Sequence, residues 1–186
     1  MKTIDYYMAP ASPWTYLGHD RVARIAQRHG ADIHVKPVDF GVIFPQSGGL
    51  PLPKRAPQRQ AYRLVELKRW KDYLGLPLVI QPKFFPVNGN PAAALICAAP
   101  EEKRMAIAGD FLAALWRDDR NLTDPGLLKE IGAKYGVTAG DDAKYQAYTQ
   151  EALGRGVFGA PSYVYRDEIF WGQDRLDFLD RALGRA

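Results

Sequence analysis

Ala9-Pro10-Ala11-Ser12-Pro13-Trp14-Thr15-Tyr16-Leu17-Gly18 follows the apolar run Ile4–Met8 and opens a long helical pattern. The stretch reads as a strand-loop-helix junction. Ser12 stands where an N-cap belongs and Pro13 where the first helical residue belongs. A hydroxyl there lies beside unpaired backbone N–H groups at the positive end of a helix, a place that suits an anion or a thiolate. Taken alone, these residues ask no more of Ser12 than that it cap the helix.

On either side the pattern is that of a crossover. Ile4, Tyr6 and Met8 alternate with Asp5 and Tyr7 as in a strand. After Pro13, Leu17/Gly18, Val22, Ile25/Ala26 and His29 fall at helical spacing, and Gly30 supplies a stop. Ile33-His34-Val35-Lys36 alternates again, so residues 4–36 read as a right-handed parallel strand-helix-strand unit with its helix packed on a sheet. At the other end, Ser162–Tyr165 and Ile169–Trp171 flank a polar turn at 166–168 and read as a hairpin. A last helix follows, with Gln173 and Asp174 at its start and Leu176, Leu179 and Leu183 as its buried stripe.

The middle reads as helical. Gly41–Pro57, rich in Gly, Pro and Ser, is expected to be a long irregular loop; its Ser47-Gly48-Gly49 lacks the Lys-Ser/Thr of a phosphate-binding loop. Leu64, Leu67, Trp70 and Leu74 mark a helix ending at Gly75. Residues 82–91 form a proline-rich loop leading into a helix over Ala92–Ala99, and three more helices follow around Met105–Leu115, after Asp124-Pro125, and after Asp141. This order is that of an α/β thioredoxin-like fold carrying a helical insertion, the alternative being an unrelated α/β sandwich. One domain over 1–186 is expected, with thioredoxin-like parts at about 1–40 and 157–186 and the insertion at about 57–155.

Composition narrows the function classes. In 186 residues, 25 Lys+Arg against 21 Asp+Glu give a net charge of +4, a mild excess that suits an anionic small ligand better than nucleic acid. Arg63, Lys68, Arg69 and Lys71 are interspersed with Glu66 and Asp72, as on a solvated helix face. No apolar run has membrane-spanning length, and the N-terminus lacks the apolar stretch of a secretory signal, so a cytoplasmic protein without membrane contact is expected. Cys97 is the only cysteine, which excludes an intrachain disulfide, a Cys-X-X-Cys redox pair and a thiolate zinc cluster. His19, His29 and His34 show no metal-ligand spacing and read as structural or surface residues; no metal is expected.

Gly159-Ala160-Pro161-Ser162 lies where thioredoxin-like proteins keep a cis-proline. Together with Ser12-Pro13-Trp14-Thr15-Tyr16-Leu17 and Phe170-Trp171-Gly172-Gln173-Asp174-Arg175-Leu176, it resembles the 2-hydroxychromene-2-carboxylate isomerase family, a DsbA-like branch of the thioredoxin superfamily related to kappa-class glutathione transferases. The resemblance extends through Tyr62, Arg69-Trp70, Gly75, Pro77 and Phe85-Pro86-Val87-Asn88 and covers essentially the whole chain. Glu66 replaces a usual Asp, Ala160 a usual Val, and Gly89-Asn90-Pro91 the more helical residues that commonly follow Asn88. The last departure and the Gly41–Pro57 segment fall where the second substrate's pocket is expected.

The resemblance implies that the nucleophilic sulfur belongs to bound glutathione rather than to the protein. Ser12 would donate a hydrogen bond to its thiolate and, with the helix N-terminus, lower its pKa. Ala160 and Pro161 would pair with the glutathione backbone, Gln173 and Asp174 would hold its γ-glutamyl end, and Asn88 would contact it or cap the next helix. Asp174 has an N-cap as its own alternative role. The implied reaction isomerises a small aromatic carboxylate, a hydroxychromene carboxylate exchanging with a trans-benzylidenepyruvate, by thiolate addition, bond rotation and elimination. Lys54, Arg55 or Lys83 could meet the substrate carboxylate, or be solubilising surface residues. A homodimer is a further expectation. The alternatives are a kappa-class-like glutathione transferase or peroxidase and a non-catalytic thioredoxin-like binding module.

Overall fold

The computed structural model describes residues 1–185. Its sheet holds β1 (Lys2–Met8), β2 (Ala31–Pro37), β3 (Ser162–Tyr165) and β4 (Glu168–Trp171) in the order β2-β1-β3-β4. β2 is parallel to β1, as the crossover through helix α1 (Pro13–His29) requires. β3 is antiparallel to β1, and β4 to β3. Arg166 and Asp167 turn the β3–β4 hairpin with φ of 51° and 63°, the two-residue loop whose twist matches that of the strands. Between β2 and β3 come α2 (Phe40–Ser47), α3 (Pro57–Leu74), α4 (Asn90–Ala98), α5 (Glu101–Trp116), α6 (Pro125–Tyr135) and α7 (Asp142–Gly154); α8 (Leu176–Gly184) follows β4. This is the thioredoxin-like arrangement with helices inserted between its two halves. Among the described residues, no helix is long and apolar enough to cross a membrane.

Both sheet faces are covered. Ile4, Tyr6 and Met8 of β1 point into the main core with Leu17, Val22, Phe111, Leu112, Tyr163 and Leu179. Tyr7 points the other way, as the period of a strand demands, into a second cluster with Val38, Ile43, Ala152, Val157 and Val164. Its side is therefore apolar and not solvated, and its hydroxyl donates to Glu151 at 2.7 Å.

One expectation fails here. The segment after Gly41 is not an irregular loop from its start but a helix, α2, capped by Asp39, whose Oδ1 accepts from Gly41 N–H at 2.7 Å. Gly48 closes it at φ 73°, and a 3-10 turn follows at Leu52–Lys54. Its Gly and Pro content masks the one residue that anchors it, the fully buried Ile43.

Helix α1 packs tightly at Gly18. A Cβ there would stand 2.6 Å from Tyr163 Oη and 2.9 Å from Gln173 Cβ. In an open helix, alanine gains about 1 kcal/mol over glycine; overpacking a filled site costs about 1–3 kcal/mol. The second effect wins here because both obstacles are held in place by β3 and the turn after β4. Gly18→Ala is expected to destabilise the protein by about 1–2 kcal/mol, read as a lower urea midpoint at unchanged slope; a midpoint at or above wild type would contradict the close packing.

Candidate active site

Ser12 is held by three backbone-directed bonds. Its N–H donates to Ala9 O (3.0 Å), its C=O accepts from Tyr16 N–H (3.1 Å), and its Oγ accepts from Thr15 N–H (3.2 Å). With φ −87° and ψ 123° it is an extended N-cap followed by Pro13 at the first helical position. Because Oγ serves Thr15 as an acceptor, its own proton remains available to be donated, at the positive end of a 17-residue helix. The residue is half-buried.

Three other segments come to this end of β1. The Ala160–Pro161 bond is cis. The β1–β3 register pairs Tyr7 with Ser162; continued, it sets Pro161 opposite Met8 and Ala160 opposite Ala9, in the loop that leads to Ser12. Gly172 N–H donates to Pro161 O at 2.8 Å, tying the turn after β4 to the cis-proline. Gly172 has φ 99°, a conformation that side chains rarely adopt, and so it delivers the chain into the 3-10 turn Gln173–Arg175. The third segment is the Asn88 loop: a Cβ on Gly89 would stand 3.5 Å from Ala11 N and Cβ.

The candidate residues are thus brought together, with one exception in orientation. Asp174 is exposed at the turn, its Oδ2 bonded to Arg175 Nη1, and no side chain caps this turn. Asn88 is exposed, and its Oδ1 accepts from Asn90 N–H at 3.0 Å, so it supports the start of α4. Gln173 is only 2% exposed. Its Oε1 and its backbone O both accept from Arg21 Nη1, at 2.5 and 3.1 Å, so its side chain fastens the turn to α1 instead of facing outward.

Beneath the site, His19 is buried between Tyr6 and Met105. Burial pulls its pKa down, and Nε2 lies 2.9 Å from the Met105 carbonyl, which assigns the proton to Nε2 and leaves Nδ1 to accept from the Tyr6 hydroxyl at 3.3 Å. It is a neutral structural histidine.

Arg63 is the residue that the sequence pattern misassigned. It lies on the buried side of α3, only 9% exposed, not on a solvated face. Its guanidinium carbon is 4.7 Å from the Phe85 ring centroid and 5.7 Å from that of Trp116. Its spacing of four residues from Leu67, itself on the stripe that continues to Trp70 and Leu74, was the available signal. Burial, and secondarily the nearby Arg55, lower its pKa to about 10, which leaves it charged at neutral pH.

The chain belongs to the DSBA-like thioredoxin domain family, whose model matches residues 3–184. Within that class it is similar over its length to a 2-hydroxychromene-2-carboxylate isomerase of Sphingobium xenophagum, at 29% identity with 98% of each chain covered. A solved structure of a 2-hydroxychromene-2-carboxylate isomerase superposes with a TM-score of 0.82 at 27% identity, covering 98% of this chain and 95% of that one. Glutathione S-transferase kappa 2 of Caenorhabditis elegans is 23% identical, with 96% of this chain and 92% of that one covered.

The protein's one thiol is buried. Cys97 is fully buried on α4, and burial pushes its thiol up to about 12. Native protein at pH 8 is expected to resist a disulfide-exchange thiol reagent and to react with one equivalent once denatured. Rapid labelling of the folded protein would show that the thiol is accessible after all.

Proposed function

We propose that this protein is a glutathione-dependent isomerase of a small aromatic carboxylate, of the 2-hydroxychromene-2-carboxylate isomerase type. One observation carries the reading: a serine N-cap with a proton to donate stands at the start of α1, beside the cis-Pro161 turn. The residues present fit glutathione. Ser12 Oγ–H and the α1 N-terminus suit a thiolate, Ala160 offers backbone groups beside the cis-proline, and the exposed Asp174 suits an ammonium.

Bound glutathione would supply the sulfur nucleophile that adds to the conjugated substrate and leaves again after bond rotation. The chain's own part is electrostatic and positional. Ser12 donates to the sulfur, the helix end favours its negative charge, and the β3 approach orients the peptide. Asn88 closes the site from the α4 side, and Gln173 holds the γ-glutamyl subsite in place from beneath through Arg21. The kappa-class relative gives a second reading some support, a transferase acting through the same thiolate. Formation of a conjugate without return of free glutathione would select it.

A hydrogen bond to a charged group contributes about 1.5–3 kcal/mol, or about one to two pKa units. Glutathione titrated into wild type is therefore expected to bind with a thiolate absorbance at neutral pH that Ser12→Ala loses, while the variant stays folded with about 1 kcal/mol less stability from the missing cap. An unchanged thiolate signal in the variant would remove Ser12 from this role. Absence of binding at millimolar glutathione would remove the cofactor.

A further inference from the structure

Strands β1 and β2 are parallel and end side by side, with Val38 N–H donating to Met8 O at 3.0 Å; the loops just beyond them carry Ser12 and Asp39. The crevice outside the carboxyl ends of parallel strands is where open α/β sheets hold ligands. Here a cavity of about 440 Å³, roomy enough for a small aromatic molecule, lies between α2, the start of α4 and α7. Its lining includes Asp39, Asn90, Asp142, Tyr145 and Thr149, and it is open to solvent at the exposed Asn90 and Asp142. It adjoins the candidate site. Asn90 Nδ2 donates to Asp39 Oδ2 at 3.2 Å, and a Cβ on the preceding Gly89 would stand 3.5 Å from Ala11, the neighbour of Ser12.

Donors and acceptors in this cavity are unequally spent. Tyr145 Oη donates to Asn90 Oδ1 at 3.1 Å and Thr149 Oγ1 to the Tyr145 carbonyl at 2.9 Å. These two residues are 7% and 2% exposed and form a fixed floor, where burial and the Asp39 carboxylate keep the Tyr145 phenol protonated. Acceptors are left over. A carboxylate can accept at about four positions; Asp39 receives Gly41 N–H and Asn90 Nδ2, while Asp142 has no ion-pair partner among the described residues, Lys144 being paired with Asp141. No basic side chain lines the cavity. Its surplus of acceptors repels a carboxylate and suits a hydroxyl.

We propose that this cavity receives the phenolic end of the aromatic substrate, with Asp39 accepting from its hydroxyl, and that the ligand's carboxylate is left outside. The inference rests on the function proposed above. A chromene opened at its ring oxygen carries that oxygen as a phenol, and a phenol O–H donated to a carboxylate is a charge-assisted bond. Asp39 and Asp142 also set the direction of entry, since like charge excludes the other end of the ligand. Asp39 is thereby a residue of specificity, reading a hydroxyl that an unsubstituted aromatic acid lacks.

Calorimetric titrations of trans-2-hydroxycinnamate, trans-cinnamate and benzylammonium into wild type and Asp39→Asn, without glutathione and with it at millimolar concentration, test this. Asparagine caps a helix as well as aspartate does, so the variant keeps the start of α2 while losing the charged acceptor. Wild type is expected to bind the hydroxylated acid about tenfold more tightly than cinnamate, as one charge-assisted hydrogen bond allows. In Asp39→Asn that ratio should fall to about threefold or less, with the affinity for cinnamate unchanged or raised. Equal affinities of the two acids for wild type, an undiminished ratio in the variant, or no binding of either acid under both conditions would overturn the proposal. Tighter binding of benzylammonium than of the hydroxylated acid would also overturn it, by making the cavity a cation site. A hydroxyl preference that depends on Asp39 while glutathione fails to bind would uphold the cavity's role and overturn the cofactor reading; glutathione binding with its thiolate signal but no hydroxyl preference would do the reverse.

Discussion

Helix α1 can lie where it does only because residue 18 has no side chain. At that point the helix meets Tyr163 from β3 and Gln173 from the turn after β4, with no room for a methyl group. His19 and Arg21 then bond it to Met105 of α5 and to Gln173. A helix fixed along this length has a fixed N-terminus, so Ser12 is placed by packing more than one turn away from it. The same contact joins the two thioredoxin-like halves, since α1 comes from the first and both Tyr163 and Gln173 from the second. Position and charge at the site therefore rest on packing far more than on the loop that carries Ser12.

Much of this was legible in the sequence where local rules and tertiary packing agree. Ser12-Pro13 and Gly30 delimit α1 because a capping oxygen, a preset φ and a left-handed glycine are local requirements. The hairpin was legible for the same reason, with its polar Arg166-Asp167 pair. Legibility failed where a neighbour from elsewhere decides the outcome. Helix α2 carries Gly41 and Pro45 and forms around a cap and one buried isoleucine, Ile43, whose partners come from β1, α7 and β3. Tyr7 looked like half of a polar alternation because nothing in its own strand announces that α2 and α7 cover that face.

The candidate site shows the same division. Ser12 and Pro161 directly precede regular elements, α1 and β3, so their position in the chain follows from local motif. Gln173 shares the motif but not the orientation, because Arg21, 152 residues away in sequence, draws its side chain inward. Arg63 looked solvated because its charged neighbours along α3 are; its spacing from Leu67 was the one local sign to the contrary, and the rings of Phe85 and Trp116, supplied by other segments, lie against its guanidinium.

The fold itself is neutral about chemistry, and relatives of one architecture can differ in what their first helix presents. In this chain the helix N-terminus presents a hydroxyl, whose proton is not lost at physiological pH and whose use is to donate. The one thiol is sealed in α4, with its ionisation suppressed by burial. A positive helix end with a donor and no nucleophile of its own is an incomplete catalyst by itself. In the function proposed above, a bound molecule brings the atom that this environment would stabilise as an anion, and among biological groups a thiol has a pKa that such an environment can bring to neutrality.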